Sequence, residues 1–527
     1  MSVTLLLTIF TIDPASATTL SGTVSDAGQN PIPDALVRLQ ATDISTRTDQ
    51  NGSFRLSWDT KVTAKHVTAW KNGFLNGGIP LAPGKTDYRI VLSPVPDDDN
   101  TLYPWESSRK SKKVSQKGEH KACEECHPAV FPEWEQSAHA GSATNPLFLA
   151  VFNGKTSSGR PTGGPGYRLD FPHSLGNCAT CHIPALALNN PFNADPNKAG
   201  GVASEGIFCD LCHKIDDTSV DNTGGRPGTL SIKFKRPAEG QQLFFGPLDD
   251  VIAGPDTYNQ VYNDSRYCAP CHNGTFWRIP AYSEFSEWAA SSYAKREISC
   301  QNCHMGLKGG ARRFAIEQEG GMVREPATIS SHVVYGLNDE SFMKGSVALT
   351  ATANQIADAL HVKVLVRNVT AGHHIPTGSP MRNMLLLIEA TNADGKRLEQ
   401  IKGEVIPDWG GQGPEAENNY AGLPGRGFAK ILAGLVEYPA DRTLGQKFAQ
   451  VYPAPYWRPT SIISDTRIPA DGTDNSEYLF QLPQDPGAAV TIRTRLIYRR
   501  TFKTWGELDR IKGKDLELAS SVLTVTL

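Results

Sequence analysis

The sequence predicts a multidomain chain with an N-terminal β-sandwich, a mostly α-helical and irregular middle, and a C-terminal β-sandwich. Three observations carry this. Short alternating strands separated by turn residues run from Leu20 to about Leu92. All ten cysteines lie between Cys123 and Cys303, in a stretch heavily punctuated by glycine and proline. After about Gly345 cysteine is absent and alternating strands return. At 527 residues the chain is also too long for one compact core.

The first residues, Val3 to Ile12, form a short apolar run ending in Ala15-Ser16-Ala17, the small-x-small pattern read by signal peptidase, although a basic start is missing. Residues 1–17 are therefore expected to be a signal peptide, and the mature chain to be exported, periplasmic or extracellular. No later stretch approaches a membrane helix in length, so no integral membrane segment is expected. Net charge is −3 and charged residues make up 20%, which argues against a nucleic-acid partner.

Residues 18–93 read as the N-terminal sandwich: Ser21 to Val24 begin a strand, Asp26-Ala27-Gly28 turns, and Asp49-Gln50-Asn51-Gly52 makes a hairpin-like turn before Phe54 and Leu56. Residues 94–118 read as a linker, with Pro94, Pro96, the acidic run Asp97 to Asp99 and a basic stretch from Arg109 to Lys117. A solvated connector is the plain reading. A docking patch for an acidic partner is the alternative.

Every cysteine falls in a Cys-x-x-Cys-His unit: Cys123, Cys126 and His127; Cys178, Cys181 and His182; Cys209, Cys212 and His213; Cys268, Cys271 and His272; Cys300, Cys303 and His304. Two thiols on one helical turn can reach the two vinyl groups on a porphyrin edge, and the adjacent His then lies under the iron. A zinc knuckle would not require His after each second Cys. The units therefore predict five covalent haem c groups, held in a domain over residues 119–344. From Cys123 to His304 there are 182 residues, about 36 per haem, too few for separate cores, so the haems are expected to stack and share one.

Beyond it, Val362, Val364 and Val366, Leu385 to Ile388, Ile492 to Tyr498 and Val522 to Val525 alternate as strands. Residues 345–527 read as an immunoglobulin-like β-sandwich that also contributes a haem ligand.

Eight histidines remain as candidates for the sixth iron position: His66, His120, His139, His173, His332, His361, His373 and His374. His66 lies in the N-terminal sandwich, and His361 alternates out of phase with the valine face of its strand. His120, His139, His173, His332 and one of His373 and His374, with His373 taken as the ligand, are left for five irons. His139 closes Trp134-x-x-Ser137-x-His139-Ala140, which Trp288-x-x-Ser291-x-Tyr293-Ala294 repeats with Tyr in the His position. Tyr can ligate haem iron. More often it packs.

On these motifs, Cys123 to Gly378 resembles the multihaem cytochromes grouped with the tetrahaem electron carrier of ammonia oxidisers. The resemblance rests on the Cys-x-x-Cys-His spacings, the Trp134 to His139 segment, Cys300 to Met305, and Gly372-His373-x-x-Pro376-Thr377-Gly378. It implies mostly bis-His, low-potential haems in stacked or perpendicular pairs that transfer electrons, although the haem number differs and the flanking sandwiches are additions. The Ser-His context of His332 is similar to that of a haem ligand in pentahaem nitrite reductases. The N-terminal stretch resembles the carboxypeptidase regulatory-like domain, which implies adhesion or docking without chemistry of its own.

Electron transfer with redox protein partners is therefore the expected function. A reductase of nitrite, hydroxylamine or a sulfur oxyanion at one open haem is the alternative, disfavoured because no Cys-x-x-Cys-Lys occurs. Self-association into an oligomer or an extracellular cytochrome filament is the third, with His120 or His66 as donor between subunits.

Overall fold

The computed structural model describes residues 18–59, 62, 64–110, 121–220, 225–252, 256–306, 313–441, 445–483, 489–511 and 513–526. The expected signal peptide, His120 and most of the basic stretch lie outside them. The chain compacts into two units, one made of Met1–Tyr103, Lys235–Tyr262 and Glu317–Glu325, the other of Pro104–Phe234, Asn263–Ile316 and Pro326–Leu527. Compaction thus groups segments from distant parts of the sequence, whereas the boundaries expected at 93, 118 and 344 follow chain order.

In the first unit, strand Thr18–Ser25 pairs antiparallel with Ser53–Trp58 and parallel with Asp87–Val91. A second sheet orders Ser45–Arg47, Leu36–Leu39, His66–Trp70 and Gly77–Pro80. Alternate residues of both sheets, among them Leu20, Val24, Val37, Leu39 and Val67, meet in one core, as the pleat requires. Later segments join through polar contacts: Arg236 grips Asp99 at 2.6 Å, and Arg324 pairs with buried Asp250 at 2.6 Å. His66 is used locally, its Nδ1 lying 2.9 Å from Gln40 Oε1.

Gly22 sits where a Cβ would lie 1.9 Å from the carbonyl oxygen of Tyr88 on the neighbouring strand. Backbone cannot yield there. Gly22→Ala is expected to destabilise this unit by about 2–4 kcal/mol. Thermal unfolding followed by far-UV circular dichroism would measure it.

In the second unit, Val347–Ile356, Ala359–Asn368, Thr473–Gln481 and Gln400–Lys402 form one sheet, while Gly425–Phe428, Asn383–Thr391, Ala489–Arg499 and Leu516–Thr526 form another. Val362, Val364 and Val366 of the first meet Met384, Leu386 and Ile388 of the second in a common core. Strand Asn383–Thr391 is buried on both faces, because Leu385 and Leu387 point into a separate core shared with Ala150, Val151, Trp409 and Trp505. That second core ties the sheet to helix Pro146–Asn153 of the cysteine-rich segment.

The cysteine-rich segment itself has only short helices and small apolar clusters, one around Trp134, Phe208 and Leu211 and another around Ala143, Ala179 and Ile183. The described end of the expected linker is hydrogen-bonded: Ser107 Oγ and the Ser108 amide both donate to Glu205, and Arg109 pairs with Glu135. No helix among the described residues is long and apolar enough to cross a membrane.

Candidate haem site

Each Cys-x-x-Cys-His unit falls on one helical turn, at Cys123–Cys126, Ala179–His182, Cys209–Cys212, Ala269–His272 and Cys300–His304. Residues three apart share a helix face, so the two thiols of each unit point the same way. The turns are anchored at their first residues: the amide of Cys209 donates to Ser108 Oγ at 3.2 Å, and that of Cys300 to Ser265 Oγ at 2.9 Å.

Thiols of different units also meet. Hydrogen bonding to Cys209 pushes the Cys123 thiol up, as Cys181 does to Cys271 and Cys300 to Cys268. Cys212 stands close enough to raise both Cys268 and Cys271 further. The unit at Cys268 therefore adjoins three others.

The histidines meet in pairs across the segment. Ring centres of His213 and His332 are 6.5 Å apart, those of His304 and His373 are 6.3 Å apart, and those of His139 and His272 are 6.4 Å apart. A metal–imidazole bond is about 2 Å long, so two rings ligating one ion from opposite sides have centres roughly 6 Å apart. All three spacings fit an iron between the rings. Burial pushes His139, His304 and His332 down to about 4, as it does His182, which leaves them neutral at pH 7 as ligation requires.

A repeated device places two of these rings. Trp134 donates its indole N–H to the carbonyl of Ile207, and Trp288 to that of Ile298, each at 2.8 Å. Both carbonyls lie two residues before a Cys-x-x-Cys-His unit. Just before each Trp stands a glutamate. Glu133 accepts from the amide of His332 at 2.8 Å, and Glu287 from the amide of His374 at 3.0 Å, so each carboxylate fixes the backbone of a His-bearing loop. The sequence reading missed both, although they belong to the Trp repeat it identified. It also missed Glu284, which lies 3.7 Å from Nδ1 of His272.

Within the adjacent histidines the roles divide. His373 faces His304, while Nδ1 of His374 is held by Glu287 at 2.9 Å. Tyr293 donates its hydroxyl to the Val369 carbonyl at 3.4 Å and its ring lies under Gly372, so it props the loop carrying His373. His361 lies 3.4 Å from Glu477, which also pairs with Lys363. His173 is exposed, and the structure brings it to none of the five motif histidines. His127 and His182 have no second imidazole at the paired spacing among the described residues. His127 donates Nδ1–H to Phe314, and the flat face of His182 stacks on Phe148 at 3.9 Å.

Lys430 lies beneath this region, 3% exposed, with Nζ donating to Pro280 O at 2.7 Å and Ser283 Oγ at 2.8 Å. Burial pulls it down to about 8. The folded chain thus holds this proton more weakly than the unfolded chain, so stability rises as pH climbs from about 8 to 10.5, the charged form costing roughly 3 kcal/mol below that window. Lys430→Met is expected to abolish the rise, read as thermal midpoints across alkaline pH.

Residues 122–214, which hold the first three units, match the family model of cytochrome c554 and c-prime. The crystal structure of a penta-heme cytochrome c552 from Thermochromatium tepidum aligns with TM-score 0.51 and 21% identity, over 76% of this chain and 97% of that one. The chain has the fold of a multihaem c-type cytochrome. A type II cohesin–X–dockerin complex from Acetivibrio cellulolyticus aligns over 14% of the cytochrome chain and 51% of its own, at 25% identity and TM-score 0.12, which carries no argument. No curated protein sequence matches.

Proposed function

We propose that this cytochrome transfers electrons through five covalently bound haem c groups. Haem supplies a reversible one-electron change at iron, and the chain supplies its attachment, ligands and spacing. The observation that carries the reading is the set of three imidazole pairs at 6.3 to 6.5 Å, each with one member from a Cys-x-x-Cys-His unit. On this reading His272, His213 and His304 would hold iron together with His139, His332 and His373. His120 remains the candidate opposite His127.

The adjacent thiols support a path. Cys123 beside Cys209, Cys212 near Cys268, and Cys268 beside Cys300 give an order 1–3–4–5 for the attached groups, with the second joined to the fourth through Cys181 and Cys271. The five units also match the count in the name of the Thermochromatium tepidum protein. Redox proteins on the exported side of the membrane are the partners this reading calls for.

A second reading is favoured at one place. His182 has no facing imidazole among the described residues, and half-buried Tyr282 and Tyr456 lie beside Cys178 and Cys181. An open iron there would let nitrite or hydroxylamine bind. A pyridine haemochrome count with electron paramagnetic resonance of the oxidised protein tests both readings. Five haems, all low-spin and unmoved by those ligands, support transfer alone. A high-spin, ligand-responsive signal lost together with the second haem in the double substitution Cys178→Ala with Cys181→Ala supports a reactive second haem.

A further inference from the structure

A ligating imidazole bonded to iron through one ring nitrogen offers the other as an N–H donor, and the acceptor it meets sets how much electron density reaches the metal. Four rings here meet main-chain carbonyls: His127 donates to Phe314 at 2.8 Å, His304 to Tyr335 at 2.6 Å, His332 to Ser330 at 3.2 Å and His373 to His374 at 3.0 Å. His272 meets a carboxylate. Glu284 Oε1 stands 3.7 Å from its Nδ1, and Glu284 Oε2 is buried with no hydrogen-bond partner among the described residues.

The placement is built in. Glu284 opens the helix Glu284–Ala289, whose next turn carries Glu287. The first carboxylate thus faces His272 while the second holds the loop of His373. Arg382 acts on the same carboxylate and is the cation that offsets part of its charge.

We propose that Glu284 is a positioning and tuning residue that lowers the potential of the haem held by Cys268, Cys271 and His272. At 3.7 Å the carboxylate stands beyond hydrogen-bond reach of Nδ1 and acts through its negative charge, which favours ferric over ferrous iron. That charge is half-buried and so only partly screened by water. Because this unit adjoins those at Cys209, Cys181 and Cys300, the lowered potential sits at the branch point. The inference rests on the electron-transfer reading.

The test is a potentiometric titration of the full-length holoprotein, followed by visible absorption and electron paramagnetic resonance, on wild type, Glu284→Gln, Glu284→Asp and Glu287→Gln. In Glu284→Gln one reduction wave, the lowest of the low-spin set, shifts positive and its g-values change while the others stay. Glu284→Asp keeps the charge and returns the wave toward its wild-type position, and Glu287→Gln leaves that wave in place. An unmoved lowest wave in Glu284→Gln, or an equal shift in Glu287→Gln, overturns the inference. Failure of Glu284→Gln to assemble all its haems overturns it too, since a residue acting on potential is dispensable for attachment. A wild-type protein without reversible waves would sink the electron-transfer reading instead.

Discussion

Replacing His373 by alanine is expected to turn one of the haems from low-spin to high-spin, while His374→Ala leaves the spin states as they are in the wild type. The two residues are neighbours, so composition and local exposure cannot separate them. Geometry does. The His373 ring lies 6.3 Å from that of His304 with planes 15° apart, and its Nδ1 is spent on the His374 carbonyl, which leaves Nε2 for iron. The His374 ring is engaged by Glu287. On the proposed count of five the change amounts to about a fifth of the haem signal, and the high-spin species should bind added imidazole and revert. The reverse result, with His374→Ala giving the high-spin species, would reassign the loop.

The second large effect is expected from the double substitution Cys268→Ala with Cys271→Ala. Haem content falls from five to four, and reduction by dithionite in a stopped-flow instrument splits into separate phases. The reason lies in thiol adjacency. The Cys268 unit is the one that touches the units of Cys209, Cys181 and Cys300, so without it the first and third haems lose contact with the second and fifth. Cys300→Ala with Cys303→Ala is the matched control. It also removes one haem, but from the end of the path, and the remaining four should reduce in one phase. Multiphasic reduction in both variants would mean that general disorder, not loss of the junction, is responsible.

Much of the candidate site was legible because its chemistry is local. A Cys-x-x-Cys-His unit needs one turn of helix and nothing else, so its spacing survives as a sequence signal. His139, His332 and His373 stood out by context, and the structure brings each to a motif histidine. His173 had no such context beyond its nearness to Cys178, and its ring is exposed. Glu133 and Glu287 were hidden for another reason. Each acts on a loop far along the chain, 199 residues away for Glu133 and His332, so nothing in the flanking residues declares the partner. The same holds for the fold. Alternation announced the strands, but that Asn383–Thr391 would be buried on both faces depends on helix Pro146–Asn153, and that Lys235–Tyr262 would join the first unit depends on contacts such as Arg236 with Asp99.

The positions of His139 and His373 relative to their partners set a timetable for maturation. On the proposed export and ligation, with the chain emerging in sequence order, His139 would precede the Cys268 unit, whereas the Cys300 unit would precede His373. The fourth haem finds its second ligand waiting. The fifth must wait for its own, until strands Val347–Ile356 and Ala359–Asn368 have come through and delivered the loop. A chain ending before Gly372 would thus carry every attachment motif yet lack the imidazole that faces His304, which makes completion of the proposed fifth site depend on the C-terminal sheets.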